Sequence, residues 1–196
     1  MASKSIYKSK QWKKLPLYSR ADLIPVIEKV RHGGQIDLAT IKMKKRLLDS
    51  RRKNLEYCLG EVGLFYQEYN LDYFVAYDSL LLNRLFSGKL KTGEFLGYPE
   101  CCIKHFEKSC KEYLEHQKTP PAIDYSQKAR KALQEGVYDE VLDYILHIPC
   151  SISCKETIDM AYNVKTVLES NDAEVLNYLK EFNRSRIEKI IKNKKD

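Results

Sequence analysis

Two short segments constrain this chain more than any other feature. They are Gly97-Tyr98-Pro99-Glu100-Cys101-Cys102-Ile103-Lys104-His105-Phe106 and His147-Ile148-Pro149-Cys150-Ser151-Ile152-Ser153-Cys154. Together they hold four of the six cysteines and two of the four histidines. Each reads as the entry to a helix. Pro99 stands at a first helical position, where its missing N–H would be unpaired anyway. Ser153 and Glu156 fit a capping box. A helix N-terminus carries partial positive charge, which favours the thiolate over the thiol. A fold that builds one site from both segments has to bring together two helix starts about fifty residues apart in the chain.

The residue types point to metal or thiolate chemistry. A tetrahedral zinc site takes four ligands from thiolate and imidazole. Cys101 and His105 are four apart and share a helix face. Cys150 and Cys154 are separated by three residues, so a curled loop brings both sulfurs to one ion, and His147 adds a nitrogen from the approach. Neighbouring cysteines tend to diverge. The expected zinc set is therefore Cys101 or Cys102, Cys150, Cys154, and one of His105 or His147. An iron–sulfur cluster prefers thiolates and would take Cys101, Cys102, Cys150 and Cys154. Neither segment is a Cys-x-x-Cys knuckle, so two metal-free readings stay open. One is a thiol enzyme whose helix N-terminal cysteine acts as nucleophile or redox centre. The other is an interaction module in which buried cysteines hold helices together. Cys58 and Cys110 read as core, His32 as a helix C-terminal residue and His116 as surface. No phosphate-cradling loop, His-Glu-x-x-His or dinucleotide fingerprint is present. No acid–base pair stands out, so a reaction is not specified.

Length and charge set the frame. The 196 residues suit one domain. No run of 18 apolar residues occurs, which argues against a membrane helix. The N-terminal residues lack an apolar signal region, so a cytoplasmic protein with reduced cysteines is expected. The charge divides the chain into a basic region 1–53 with net charge +11, a cysteine-bearing core 54–179 with −8, and a basic end 180–196 with +4. Basic ends suit an anionic partner such as RNA. The plainer readings are solvated termini, or a basic arm folded on the acidic body within one chain or across a homodimer.

Periodicity predicts a helix over about 20–32 capped by Ser19, with Gly33-Gly34 ending it. A short strand or helix start follows at 36–41. Residues 55–78 are rich in aromatic and β-branched side chains, and Val62-Gly-Leu-Phe-Tyr and Leu71-Asp-Tyr-Phe-Val-Ala-Tyr, flanking Glu68-Tyr69-Asn70, predict a β-hairpin. Asp78 or Ser79 caps a helix ending before Ser87-Gly88. Further helices are expected from Pro99 to about 116, at about 125–135, 138–146 and 154–169, and from 173 to 192. The predicted fold is a mainly helical α+β single domain with one β-hairpin.

With both segments in view, the chain resembles the archaeal and partly bacterial domain of unknown function 483 family. That family carries Gly-Tyr-Pro-x-Cys-Cys-x-x-x-Phe, closed here by Phe106, and then His-x-Pro-Cys-Ser-x-x-Cys. The resemblance spans about residues 90–165. It implies that Cys101, Cys102, His147, Cys150 and Cys154 act as one site, in a microbial cytosolic setting. It implies no reaction.

Overall fold

The computed structural model describes residues 3–37, 45–116 and 119–189. The chain forms two compact units. One comprises residues 1–97 and 166–176, the other residues 98–165 and 177–196. These follow spatial contacts, whereas the three sequence regions follow charge. The fold class is α+β and mainly helical, as expected.

In the first unit, short helices α1 (Ser3–Ile6) and α2 (Lys10–Lys13) precede α3 (Leu17–Ile27), β1 (Gly33–Asp37) and α4 (Lys45–Val62). The hairpin β2 (Phe65–Tyr69) and β3 (Asp72–Ala76) follows, then α5 (Ser79–Phe86) and α6 (Thr92–Phe95). The sheet is antiparallel in the order β1-β3-β2. Asn70 and Leu71 form the two-residue hairpin turn, both at positive φ (51° and 72°), the twist-matched turn of tight hairpins. Gly33 carries the ring of Phe95 where a Cβ would stand, 2.4–2.8 Å from three ring carbons.

Several boundaries differ from the expected ones. The hairpin starts only at Phe65, because Leu55, Cys58 and Leu59 are buried at helical spacing and extend α4 to Val62. Helix α3 stops at Ile27 instead of residue 32. Lys29 takes a left-handed conformation (φ 58°), and the N–H groups of Val30 and Arg31 turn back to the Pro25 carbonyl at 2.8 and 2.9 Å, a helix-ending motif. Ser19 lies inside α3 and caps nothing. The expected element at 36–41 is strand as far as Asp37, and its remaining residues lie outside those described.

The first unit is tied by a buried carboxylate. Asp172 stands between α9 (Lys155–Asn171) and α10 (Ala173–Lys189). Its carbonyl accepts from Val175 N–H and Leu176 N–H. Its Oδ2 accepts from Trp12 Nε1 at 2.9 Å and Arg20 Nη1 at 2.7 Å. Arg20 also donates to Glu174 at 2.9 Å.

In the second unit, α7 (Glu100–His116), α8 (Pro121–Gln134) and a 3-10 turn (Glu140–Tyr144) join the first part of α9 and most of α10. Helix α8 starts at Pro121, earlier than expected, because Pro120 and Pro121 form its entry. The helix expected over 138–146 is only the 3-10 turn. Asn183 Nδ2 donates to the carbonyls of Asp143 (2.7 Å) and Ile145 (3.1 Å), taking acceptors a regular helix would use. No helix among the described residues is long and apolar enough to cross a membrane.

Asp172→Ala leaves a buried guanidinium without its closest anion. The expected loss is about 3 kcal/mol or more, read by denaturant unfolding through Trp12, the only tryptophan. A loss of about 1 kcal/mol or less, as for a surface pair, would contradict this assignment.

Candidate metal centre

The N-terminal turn of α7 supplies the first two sulfurs. The Pro99 carbonyl accepts from Cys102 N–H at 2.9 Å and Ile103 N–H at 3.0 Å. Glu100, Cys101 and Cys102 are therefore the first three helical residues. Helical Cα–Cβ bonds tilt toward the N-terminus, and no earlier turn blocks these side chains. Both sulfurs lean over the open helix end, 3.9 Å apart. The divergence expected of neighbouring cysteines is overcome by this position.

The second segment supplies the other two. Helix α9 begins at Lys155, and the Cys154 carbonyl accepts from Ile158 N–H at 2.9 Å. Cys154 is the cap, and its sulfur accepts from the Thr157 N–H, as a serine or aspartate cap oxygen would. The cap expected at Ser153 is thus displaced by one residue. Ser153 Oγ instead faces Ser151 Oγ at 3.4 Å. Glu156 turns its carboxylate to the sulfurs of Cys154 (3.5 Å) and Cys101 (3.9 Å). In the loop, Cys150 N–H donates to Cys102 Sγ at 3.3 Å.

The ligand atoms of Cys101, Cys102, Cys150 and Cys154 all lie within 4.8 Å of one another. Cys154 Sγ is 3.6 Å from Cys101 Sγ and 3.7 Å from Cys102 Sγ. A tetrahedron with zinc–sulfur bonds of about 2.3 Å has edges of about 3.8 Å. The spacings among Cys101, Cys102 and Cys154, 3.6, 3.7 and 3.9 Å, bracket that edge. Cys102 and Cys154 are buried, whereas Cys101 and Cys150 are half-buried.

The two candidate histidines lie outside the four-sulfur set. His147 Nε2 meets Thr157 Oγ1 at 3.1 Å, and its ring stacks on Tyr98 at 4.7 Å between centroids. Thr157 is fully buried, with Oγ1 3.2 Å from Cys102 Sγ. A hydroxyl has one proton. If it goes to sulfur, Thr157 accepts from a protonated Nε2 of His147, which fixes the tautomer. Tyr98 OH in turn donates to the Leu146 carbonyl at 3.0 Å, holding the loop. His105 lines a groove with Ser109, Glu112 and Asp124, its Nε2 3.4 Å from Ser109 Oγ. It shares a helix face with Cys101 but stands outside the group of four sulfurs. Cys58 is buried in α4, and burial lifts its thiol to about 12. Cys110 stands outside the cluster. Sequence reasoning missed Thr157. Its signal is its place three residues after Cys154, where a helix start turns an N–H toward the cap.

The family described as "Protein of unknown function (DUF483)" matches residues 68–182, a span that contains all four clustered cysteines, His147 and Thr157. No curated protein and no solved structure matches the chain.

The electrostatics suit a site completed by a cation. Burial pushes the thiols of Cys101, Cys102 and Cys150 up to about 11. Burial also acts upward on Cys154, but the Thr157 hydroxyl and N–H outweigh it and hold that thiol below its usual range. Without a cation, Cys101, Cys102 and Cys150 keep their protons, which titrate as a group with that of Cys154. A bound cation has to displace them. The raised thiols are protonated at neutral pH, so protons compete with metal and affinity rises with pH. Release of about three protons predicts an increase of about a thousandfold per pH unit near neutrality, measured by competition with a chromophoric chelator. A pH-independent affinity would mean that these thiols are not the ligands.

Proposed function

The chain belongs to the DUF483 family, and we propose that it is a zinc-binding protein whose single ion is held by Cys101, Cys102, Cys150 and Cys154. The spacing of the sulfurs carries this reading. All four ligand atoms lie within 4.8 Å of one another, and the three pairs among Cys101, Cys102 and Cys154 match the edge of a zinc tetrahedron. An iron–sulfur cluster spreads its thiolates over different irons, which requires wider separation of some pairs. The sulfur-only donor set selects a thiophilic ion over magnesium or calcium. Two helix starts face the centre and offset part of the charge of four thiolates. Within the second unit, the ion would fasten the start of α7, the start of α9 and the loop between Ile145 and Cys154. His147 and Tyr98 serve as positioning residues through Thr157 and the loop carbonyl. The setting proposed is the cytoplasm, where unpaired thiols stay reduced.

Elemental analysis with an absorption spectrum on protein purified without oxygen tests this. About one zinc per chain and no visible colour is the expected result. Iron with sulfide and a broad visible band would replace zinc with a cluster. Absence of any metal would return the site to a thiol enzyme or a packed core.

A second reading concerns the first unit. Lys8, Lys10, Lys14, Lys45, Arg46 and Lys53 are exposed, and no ion pair joins them to another described residue. They lie on or beside α1, α2 and α4, which pack together. This unpaired charge supports a contact with RNA phosphates. Affinity for a single-stranded RNA is expected to fall with salt, with a log–log slope of about −0.7 per phosphate contact. Salt-insensitive binding, or none at low salt, would remove this partner.

A further inference from the structure

The four sulfurs differ in what surrounds them. Cys102 and Cys154 are buried, and protein donors reach both. Cys102 has the Cys150 N–H at 3.3 Å and the Thr157 hydroxyl at 3.2 Å. Cys154 has the N–H of Thr157. Cys101 and Cys150 are half-buried, and no N–H or O–H of a described residue donates to either sulfur. The centre thus has a closed back, hydrogen-bonded and dry, and an open edge facing solvent.

Hydrogen bonds to a thiolate draw charge from the sulfur and lower its nucleophilicity. Burial bars access as well. Both effects protect Cys102 and Cys154 and neither protects Cys101 or Cys150, of which Cys101 has the Glu156 carboxylate beside it. The helix dipole does not separate Cys101 from Cys102, since they share the first turn of α7. The polar neighbour of Cys101 outside the sulfur set is the exposed carboxylate of Glu156 at 3.9 Å. A carboxylate has no proton to offer the thiolate and leaves its electron density on sulfur.

Resting on the zinc reading above, we propose that Cys101 is the nucleophilic thiolate of this centre and takes an activated alkyl group from a soft carbon electrophile. A sulfur lone pair forms the S–C bond while the bond from that carbon to its leaving group breaks. The leaving group departs with the bonding electron pair. The step consumes no oxidant or reductant, and a thiolate needs no base. Thr157 keeps the back pair unreactive and directs the electrophile to the open edge.

The test uses the full chain loaded with zinc, its metal content measured first, then limiting iodoacetamide with peptide mapping over time. Cys101 is expected to label at least about tenfold faster than Cys102 and Cys154, with Cys150 between them. Cys110, half-buried on the same helix and outside the cluster, serves as the ordinary-thiol reference. Glu156→Gln places an amide donor where the carboxylate now stands, 3.9 Å from the Cys101 sulfur and 3.5 Å from that of Cys154, which already has a donor. It is expected to slow Cys101 several-fold with zinc content unchanged. Bound zinc with Cys102 or Cys154 keeping pace would overturn the inference and leave the metal centre standing. A wild-type rate at Cys101 in the Glu156→Gln chain would overturn the part assigned to the carboxylate. A chain that takes up no zinc would overturn the metal centre and this inference with it.

Discussion

The centre depends on one buried hydroxyl. Thr157 stands in the first turn of α9, touches Cys102 from α7 through Oγ1, and gives its N–H to Cys154. It also meets His147, which stacks on Tyr98, which holds the Leu146 carbonyl. One side chain therefore links both helix starts and the loop between them. The residues that look decorative in the two cysteine segments gain a physical role. Tyr98 and His147 aim the loop, Pro99 opens α7, and the loop delivers Cys150 with its N–H on Cys102.

The loop is also held from its other end. Asp143 is fully buried and accepts from Arg184 Nε at 2.6 Å and Tyr138 OH at 3.2 Å. Burial raises its carboxyl above the usual range, with Arg184 acting the other way. Asn183 clamps the two carbonyls on either side of Tyr144. Residues 143–146 thus leave α10 in a fixed direction before the chain reaches His147. A first-turn ligand set needs such support, because four short side chains tolerate little error in where their backbones start.

Local signals explain what was legible. The Asp78 cap of α5 forms where the sequence places it, while the hairpin turn falls at Asn70-Leu71, later than the expected Glu68-Tyr69-Asn70, and α7 starts at Glu100, one residue after Pro99. The first hairpin strand, expected from Val62, begins at Phe65 because burial of Leu55, Cys58 and Leu59 carries α4 through Val62. The pairing of β1 with β3 joins residues about forty apart, which no local pattern announces. At the site, the cysteines were visible as a group. The choice between histidine and sulfur ligands was not, because it turns on side-chain direction at a helix start. His105 has the right spacing from Cys101, but its Nε2 turns to Ser109, one turn further along α7. Thr157 was invisible because a threonine inside a helix carries no signal until its position relative to the cap is known.

The energetics of the cluster argue that its geometry is made for an ion. Thiols are weak donors and weak acceptors, so four of them in mutual contact replace good hydrogen bonds to water with poor ones to each other. Closing the chain between Cys102 and Cys150 adds an entropic cost that grows slowly with loop length. As small apolar groups, the cysteines would favour full burial, yet Cys101 and Cys150 stay half-exposed, Cys101 beside the Glu156 carboxylate. A packed core would not leave them there. A redox pair would need two sulfurs close together, and the chain brings four. A single thiophilic cation accounts for the number, the spacing and the exposure together, since its bonds to four thiolates are worth on the order of 10 kcal/mol and leave one edge of the tetrahedron free to face water.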